Sequence, residues 1–311
     1  MNFIMVDITL LGTSALFPLP ERALTSVFLF CEGHSILFDC GEGTQTAARK
    51  SDVSLMKTDI IAITHYHGDH ILGLPGLLQT MSSLKRTEPL YIMGPENISE
   101  ELAPILKLTG FTTFEIILME ISEELRLCEL IKGWPYEATL TPFPTVHRIK
   151  SQGYVFKLGR AGKFLPEKAK ALNIPVTQWS VLQKGQSITL DDKIIMPDQV
   201  LGEPRKGLKF VFSGDTAMCE TLTSEAKEAD LLICEATYGE NEQAELATEH
   251  GHMNFAQAAE TAKRADVKNL WLAHYSPRIE RPSYYLQHAK DIFTKTLCGY
   301  DGMRMTLNFE A

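Results

Sequence analysis

The seven residues Thr64-His65-Tyr66-His67-Gly68-Asp69-His70 carry four metal-capable side chains in six positions, directly behind the apolar stretch Ile60-Ile61-Ala62-Ile63. A fold that accepts this must bury the apolar run as a strand and gather polar groups at its C-terminal end. In an extended segment alternate side chains point the same way, so His65 and His67 can share one ion. Gly68 then lets the chain turn, and Asp69 and His70 face a second ion beside the first. Three imidazoles and a carboxylate suit zinc or a similar borderline ion, and the same donors also hold manganese or iron. A His-rich surface loop is the plain alternative. Against it, only 9 of 311 residues are His, and three of them fall in this one run behind a strand.

Other apolar runs also end in chemically loaded residues. Leu208–Phe212 precedes Gly214-Asp215, Leu231–Cys234 precedes Glu235, and Asn269–Ala273 precedes His274. Such short, continuous hydrophobic segments read as strands buried on both faces, with the active edge at their C-terminal ends. The N-terminal part alternates instead, predicting strands over Ile4–Leu11, Thr25–Cys31 and Ser35–Asp39 with a hairpin turn at Gly33-His34. Helices are expected over Ile71–Ser83 (kinked or started late by Pro75-Gly76), Ser99–Leu108, Asn254–Arg264 and Ser283–Thr296. Asn254 and Gln257 have capping-box spacing. The mixture, with two β-rich halves, predicts an α/β chain folded as one domain over residues 1–311, a four-layer αββα sandwich. Residues from about 159 to 204 fit the sandwich poorly and read as a projecting insertion. It holds a short helix (Pro166–Leu172) and turn signals at Asn173–Pro175, Lys184-Gly185 and Asp191-Asp192.

The net charge of −9 argues against a general nucleic-acid binder, but the charge is uneven. Between Arg148 and Lys170 lie seven basic residues (Arg148, Lys150, Lys157, Arg160, Lys163, Lys168, Lys170) and one acid, Glu167, so this window is +6 and the remainder −15. A local basic patch on an acidic protein can capture a polyanion at one place; a solvated helix face is the alternative. The six cysteines form no Cys-x-x-Cys pair and read as reduced, mostly buried thiols. Asp7 stands where a signal peptide would carry a cation, and no apolar run approaches the ~20 residues of a membrane span. A soluble, cytoplasmic protein without membrane partners is the expectation.

Two ions need more ligands than one run provides. His147 in Pro144-Thr145-Val146-His147, Asp215 in Ser213-Gly214-Asp215-Thr216 and His274 in Leu272-Ala273-His274-Tyr275 sit where further donors belong. Alone, each has an ordinary reading as a loop residue, a helix cap or a core histidine. Together they complete a set in which one ion takes His65, His67 and His147, the other Asp69, His70 and His274, with Asp215 bridging.

With these residues in place the chain resembles ribonuclease Z, the tRNA 3′-processing endonucleases of the metallo-β-lactamase superfamily, from about Ile8 to Arg278. The His-x-His-x-Asp-His run specifies only the superfamily. The narrower resemblance rests on Gly12-Thr13-Ser14 with Pro18, Glu21-Arg22 and Ser26, on Leu37-Phe38-Asp39-Cys40-Gly41-Glu42-Gly43-Thr44-Gln45, and on Gly73-Leu74-Pro75-Gly76-Leu77-Leu78. Thr87-Glu88-Pro89-Leu90, Pro204-Arg205-Lys206-Gly207, Glu235-Ala236-Thr237-Tyr238 and His274-Tyr275-Ser276-Pro277-Arg278 follow in order.

The resemblance implies a metallo-β-lactamase sandwich with two zinc ions per subunit, and a cut leaving a 3′-hydroxyl on the tRNA and a 5′-phosphate on the trailer. It makes Asp69 the group that orients the nucleophile and accepts its proton. His252, held by Glu235, becomes the acid for the leaving oxygen. It also implies a homodimer whose arm (159–204) grips precursor tRNA, with Lys157, Arg160, Lys163, Lys168, Lys170, Arg205, Lys206 and Arg278 as RNA contacts. The chain departs from the family at Tyr66, Cys234 and Met253-Asn254. It departs again in the arm, where Asn173-Ile174-Pro175-Val176-Thr177-Gln178-Trp179-Ser180 replaces a Pro- and Gly-rich stretch. Trp179 and the lysines are the expected means of grip there.

Two other classes compete. A superfamily hydrolase acting on small phosphodiesters, thioesters or lactones would need no basic arm, and the Asp39–Gln45 signature speaks against it. A non-catalytic nucleic-acid binder would be expected to lack ligands, yet all seven are present.

Overall fold

Strands β1 (Met5–Gly12), β2 (Ser26–Cys31) and β3 (His34–Phe38) form an antiparallel meander. In the same sheet β4 (Ile60–Ala62), β5 (Leu90–Gly94) and β6 (Ile116–Glu120) follow in parallel. A second meander runs through β7 (Leu125–Arg126), β8 (Ala138–Pro144) and β9 (Gln152–Arg160). The hairpin of β10 (Ile188–Leu190) and β11 (Lys193–Ile195) stands apart from both sheets. Next, β12 (Arg205–Phe212) pairs antiparallel with β9 and leads into parallel β13 (Leu231–Glu235), β14 (Leu270–Ala273) and β15 (Thr296–Cys298). Finally β16 (Met303–Asn308) returns antiparallel to β1. Two seven-stranded sheets result, ordered β16-β1-β2-β3-β4-β5-β6 and β15-β14-β13-β12-β9-β8-β7. This computed structural model describes residues 5–183, 185–191 and 193–309. Ile4, Lys184 and Asp192, which belong to an expected strand and two expected turns, lie outside those residues.

Strand residues of odd and even parity go to different layers, which is why the apolar runs look continuous. Ile60 and Ala62 face inward with Phe38, meeting Tyr154, Phe210, Phe212 and Trp271 of the other sheet. Ile61 and Ile63 face outward, under Leu74, Leu77, Leu78 and Met81 of the helix Leu74–Ser83 and Leu102 of the helix Ile98–Thr109. Val211, Leu232, Cys234 and Leu272 pack outward beneath Ala258, Ala259 and Ala262 of the helix Phe255–Arg264. Helix, sheet, sheet, helix is the predicted αββα order.

Several local expectations need correcting. The first hairpin turns at Glu32-Gly33, not Gly33-His34, because both turn residues take positive φ (50° and 90°), as a two-residue type I′ loop requires. The expected helix from Ile71 begins only at Leu74, after the short turn Gly68–Ile71. This late start is one of the two outcomes expected from Pro75-Gly76, and Pro75 stands in the first turn of the helix, where its missing N–H costs nothing. The expected helix over Ser283–Thr296 shrinks to Leu286–Lys290, since Thr296 is drawn into β15 beside Leu270.

Residues 159–204 carry a small core of their own: Ala169, Ile174, Leu182, Ile188, Ile195 and Val200 are buried together, with Phe164 and Trp179 against them. The segment closes at its neck, where Leu165 N donates to Val200 O (2.8 Å) and Gly202 N to Lys163 O (2.8 Å). Trp179 belongs to this core. It lies on the helix Val176–Gln183, packs on Phe164 at 5.2 Å, and its Nε1 donates to Ile174 O (3.0 Å). The expectation that it is free to stack on RNA therefore changes to a packing role. No helix among the described residues is long and apolar enough to cross a membrane.

Candidate active site

Every chemically loaded strand end points the same way. His65 follows β4, Asp215 follows β12, Glu235 ends β13 and His274 follows β14. β12, β13 and β14 run parallel in one sheet and β4 runs parallel to β3 and β5 in the other, and the residues at their C-terminal ends come together. His147 arrives on the loop after β8, and His67, Asp69 and His70 on the turn after β4. The inter-sheet anchoring is tight. Tyr154 Oη donates to Ile63 O (2.7 Å) and Gln152 N to Thr64 O (3.0 Å), pinning the backbone just before His65.

The seven predicted metal-site residues converge. Asp215 Oδ2 is 3.2 Å from His274 Nε2, 3.4 Å from His70 Nε2, 3.7 Å from His65 Nε2 and 4.0 Å from His147 Nε2. His67 Nδ1 lies 3.0 Å from His65 Nε2 and 3.2 Å from His147 Nε2. Asp69 Oδ2 lies 3.5 Å from His274 Nε2 and 3.8 Å from His70 Nε2. The donor atoms of His65, His67 and His147 fall within 4.8 Å of one another, as do those of Asp69, His70 and His274. Gly214, at φ 59°, makes the turn that aims Asp215 inward; a Cβ there would meet the Thr64 side chain at 2.9 Å.

The outer nitrogens of four rings are held by partners, which turns the other nitrogen to the centre. His147 Nδ1–H donates to Gly251 O (2.8 Å) and His70 Nδ1–H to Asp39 Oδ2 (2.7 Å). His65 Nδ1–H donates to Thr64 Oγ1 (3.0 Å), which itself donates to Asp39 Oδ2 (2.9 Å). His274 Nδ1–H donates to Thr237 Oγ1 (2.9 Å). These tautomers follow from the network. Burial, then the neighbouring imidazoles, pushes His65, His67 and His147 below the ordinary imidazole range, which favours the neutral, ligating form. His70 is pushed well above it, because Asp215 and Asp39 outweigh its burial. Asp215 and Asp69 stay ionised: burial opposes this, but the histidines around each carboxylate prevail.

The donor set fits a cation on physical grounds. His70 Nε2, His274 Nε2 and Asp215 Oδ1 are buried and find no hydrogen-bond partner among the described residues. Leaving such atoms orphaned costs about 1–3 kcal/mol each, and a metal ion would satisfy all three. The His/Asp groups are thus compatible with bound metal.

Glu235 differs from the other carboxylates. Its Oε1 accepts from Thr216 N (2.9 Å) and His252 Nδ1 (2.8 Å). Its Oε2 accepts from Thr237 N (3.2 Å), Thr237 Oγ1 (2.8 Å) and Met253 N (3.1 Å). Five bonds leave no lone pair for a cation, so Glu235 orients its neighbours. Burial alone would lower the His252 pKa, but Glu235 beside it pushes the group up to about 9. His252 therefore holds a proton at neutral pH, 4.0 Å from Asp215 Oδ2.

Sequence reasoning did not assign roles to Asp39, Thr64 or Thr237. Asp39 lies in a noted signature and directly follows β3, and that strand-end placement of a carboxylate was the available signal. Thr64 and Thr237 also lie in quoted motifs just past β4 and β13, but a hydroxyl there does not by itself point to a role.

The predicted RNA contacts scatter more widely. Arg160 and Arg205 are ladder partners where β9 meets β12, with Arg205 Nε on Ala161 O (3.0 Å) and Arg160 over the Phe309 ring (5.0 Å). Lys163, Lys168 and Lys170 are exposed in the insertion, and Lys206 is exposed beside Arg205 in sequence. Lys157 lies within β9, 3.9 Å from Glu124. Arg278 is exposed, four residues past His274. The departures cost no ligand: Tyr66 Oη donates to Pro95 O (2.6 Å), Cys234 is core, and Asn254 forms the expected capping box with Gln257.

A family profile described as "Anti-Pycsar protein Apyc1" matches residues 6–160, and one described as "Beta-lactamase superfamily domain" matches residues 199–275. Ribonuclease Z from Lachnospira eligens is 41% identical over 309 residues, covering 98% of this chain and 99% of that protein. Among solved structures, human tRNase Z, short form, superposes with a TM-score of 0.66 at 28% identity over 96% of this chain and 98% of its own. The metallo-β-lactamase fold protein YhfI of Bacillus subtilis gives a TM-score of 0.68 over 97% of this chain and 99% of its own; at 21% identity this speaks for the fold alone.

Proposed function

The chain belongs to the ribonuclease Z family, on the metallo-β-lactamase fold, and from that premise we propose that it is a metal-dependent endoribonuclease removing the 3′ trailer from precursor tRNA. The observation that carries the chemistry is the Asp215 carboxylate, with five histidine nitrogens within 4.0 Å of its Oδ2. In this reading His65, His67 and His147 would hold one cation and Asp69, His70 and His274 a second, with the Asp215 carboxylate available to both. Zinc suits the imidazole-rich set, and manganese or iron is compatible with it. Bound cations of this class supply Lewis acidity that activates water and offsets charge on the phosphate.

The protein's own groups do the rest. Asp69, its Oδ2 fixed by the Leu16 amide (2.8 Å), orients the attacking water and takes its proton. His252, protonated and aligned by Glu235, gives a proton to the leaving 3′-oxygen, so the tRNA keeps a 3′-hydroxyl and the trailer a 5′-phosphate. Lys163, Lys168 and Lys170, with Lys157, Arg160, Arg205, Lys206 and Arg278, supply phosphate contacts. Residues 159–204 act as the arm that holds the tRNA body, working in a homodimer in the cytoplasm.

The test is cleavage of an end-labelled precursor tRNA with and without chelator, beside hydrolysis of bis-p-nitrophenyl phosphate. Chelator-sensitive cutting at the trailer junction is expected. Hydrolysis of the small diester with no cutting of precursor tRNA would replace this reading by a small-substrate phosphodiesterase. His252→Ala is expected to slow precursor cleavage about 10²- to 10⁴-fold while zinc per subunit stays constant; a parallel fall in zinc would make the residue structural.

A further inference from the structure

We infer that Thr237 is a positioning residue whose hydroxyl joins the cation ligand His274 to the Glu235–His252 acid pair, so that the two are aligned as one unit. The inference rests on the roles given above to His274 and His252. It starts from hydrogen-bond arithmetic. A threonine hydroxyl has one proton to give and two lone pairs. Thr237 Oγ1 is buried, 2.9 Å from His274 Nδ1 and 2.8 Å from Glu235 Oε2. The carboxylate can only accept, so Thr237 donates to Glu235. Its lone pair is then left for the Nδ1–H of His274. The next candidates, the His274 carbonyl at 3.2 Å and His252 Nδ1 at 3.3 Å, are longer. His252 Nδ1–H has the shorter path to Glu235 Oε1, at 2.8 Å.

The resulting chain runs from His274 through the Thr237 hydroxyl to Glu235, with His252 on the other oxygen. The same construction exists on the other sheet. There His65 reaches Asp39 through the Thr64 hydroxyl (3.0 and 2.9 Å), and His70 takes Asp39 directly (2.7 Å). Each sheet thus contributes one buried carboxylate, one threonine relay and two imidazoles. On the Asp39 side both imidazoles are cation ligands. On the Glu235 side one is a ligand and the other is the acid, and their rings stack 5.6 Å apart at 24°. Thr237 therefore keeps the acid in register with the cation it must act beside, which a hydroxyl satisfying a single ring would not do.

Thr237→Val removes the hydroxyl and keeps the branched shape; Thr237→Ser keeps the hydroxyl. Two readouts are taken for each. The first is zinc affinity by competition with a chromogenic chelator, needing no turnover. The second is the ratio of kcat on precursor tRNA to kcat on bis-p-nitrophenyl phosphate, whose nitrophenolate leaves without a proton. Thr237→Val is expected to weaken the more loosely held zinc about tenfold or more and to lower the kcat ratio about tenfold, with Thr237→Ser restoring both. A change in only one readout, no change in either, or a failed rescue by serine overturns the inference. If the valine variant does not fold, Thr237→Ala is compared with Thr237→Ser on the same readouts. If the wild type does not cut precursor tRNA, the functional reading fails; the zinc comparison still decides the link between Thr237 and His274.

Discussion

The Leu16 amide donates to Asp69 Oδ2 at 2.8 Å, and Leu16 holds a left-handed backbone (φ 63°) to do so. Leucine in that region costs about 1–2 kcal/mol, and its side chain is largely exposed, so little packing offsets the strain. Leu16→Gly keeps the amide and removes the strain. The expected outcome is unchanged hydrolysis of a small diester with a melting temperature raised by about 2–4 °C. A lower melting temperature would show that the leucine side chain contributes packing that outweighs its backbone.

Asp39→Asn keeps the shape of a buried carboxylate but places an NH2 or a neutral oxygen where His70 and Thr64 both donate to Oδ2. With the amide nitrogen facing His70 Nδ1, the ring must carry its proton on Nε2, the atom that faces Asp215. Zinc affinity is expected to fall about 10- to 100-fold with the fold intact. Chelator competition alongside circular dichroism checks this; unchanged affinity would dismiss Asp39 as an anchor.

Asp301 ties the turn before β16 to the N-terminal loop, accepting from Thr13 Oγ1 (2.8 Å) and Ala23 N (2.6 Å). Burial pushes its pKa from 3.8 up to about 6, against the pull of these bonds. The folded state thus binds this proton more tightly than the unfolded chain. The associated stability is fully present below about pH 4 and is lost as pH rises through about 6, on the order of 2–3 kcal/mol. In Asp301→Asn that slope should vanish, leaving a pH-independent offset. Denaturant melts of both proteins between pH 4 and 7 measure it, and parallel curves would reject the assignment.

Lys168 and Lys170 are exposed on the helix Pro166–Ala171 of the insertion. Changing both to Glu is expected to raise KM for precursor tRNA about tenfold or more, leave bis-p-nitrophenyl phosphate hydrolysis alone, and flatten the dependence of binding on salt. Equal losses on both substrates would place the effect in folding of the insertion.

How much of this was legible before the structure depends on what each residue does. His65, His67, Asp69 and His70 are contiguous and chemically conspicuous, and His147, Asp215 and His274 could be found as polar residues behind apolar strands. Thr64 and Thr237 escaped because a hydroxyl that aligns another side chain looks like any threonine. The helix expected up to Thr296 failed for a different reason: its amphipathic pattern is local, and pairing of Thr296 with Leu270 is not. Trp179 was misjudged because its partner Phe164 is brought to it only when the insertion closes on its own small core.

The cluster draws His65, His67, Asp69 and His70 from one sheet and His147, Asp215 and His274 from the other, sharing no donor until both have docked. Neither sheet alone carries the full donor set. A chain emerging from the ribosome holds all seven donors only once His274, close to its C-terminal end in sequence, has been made.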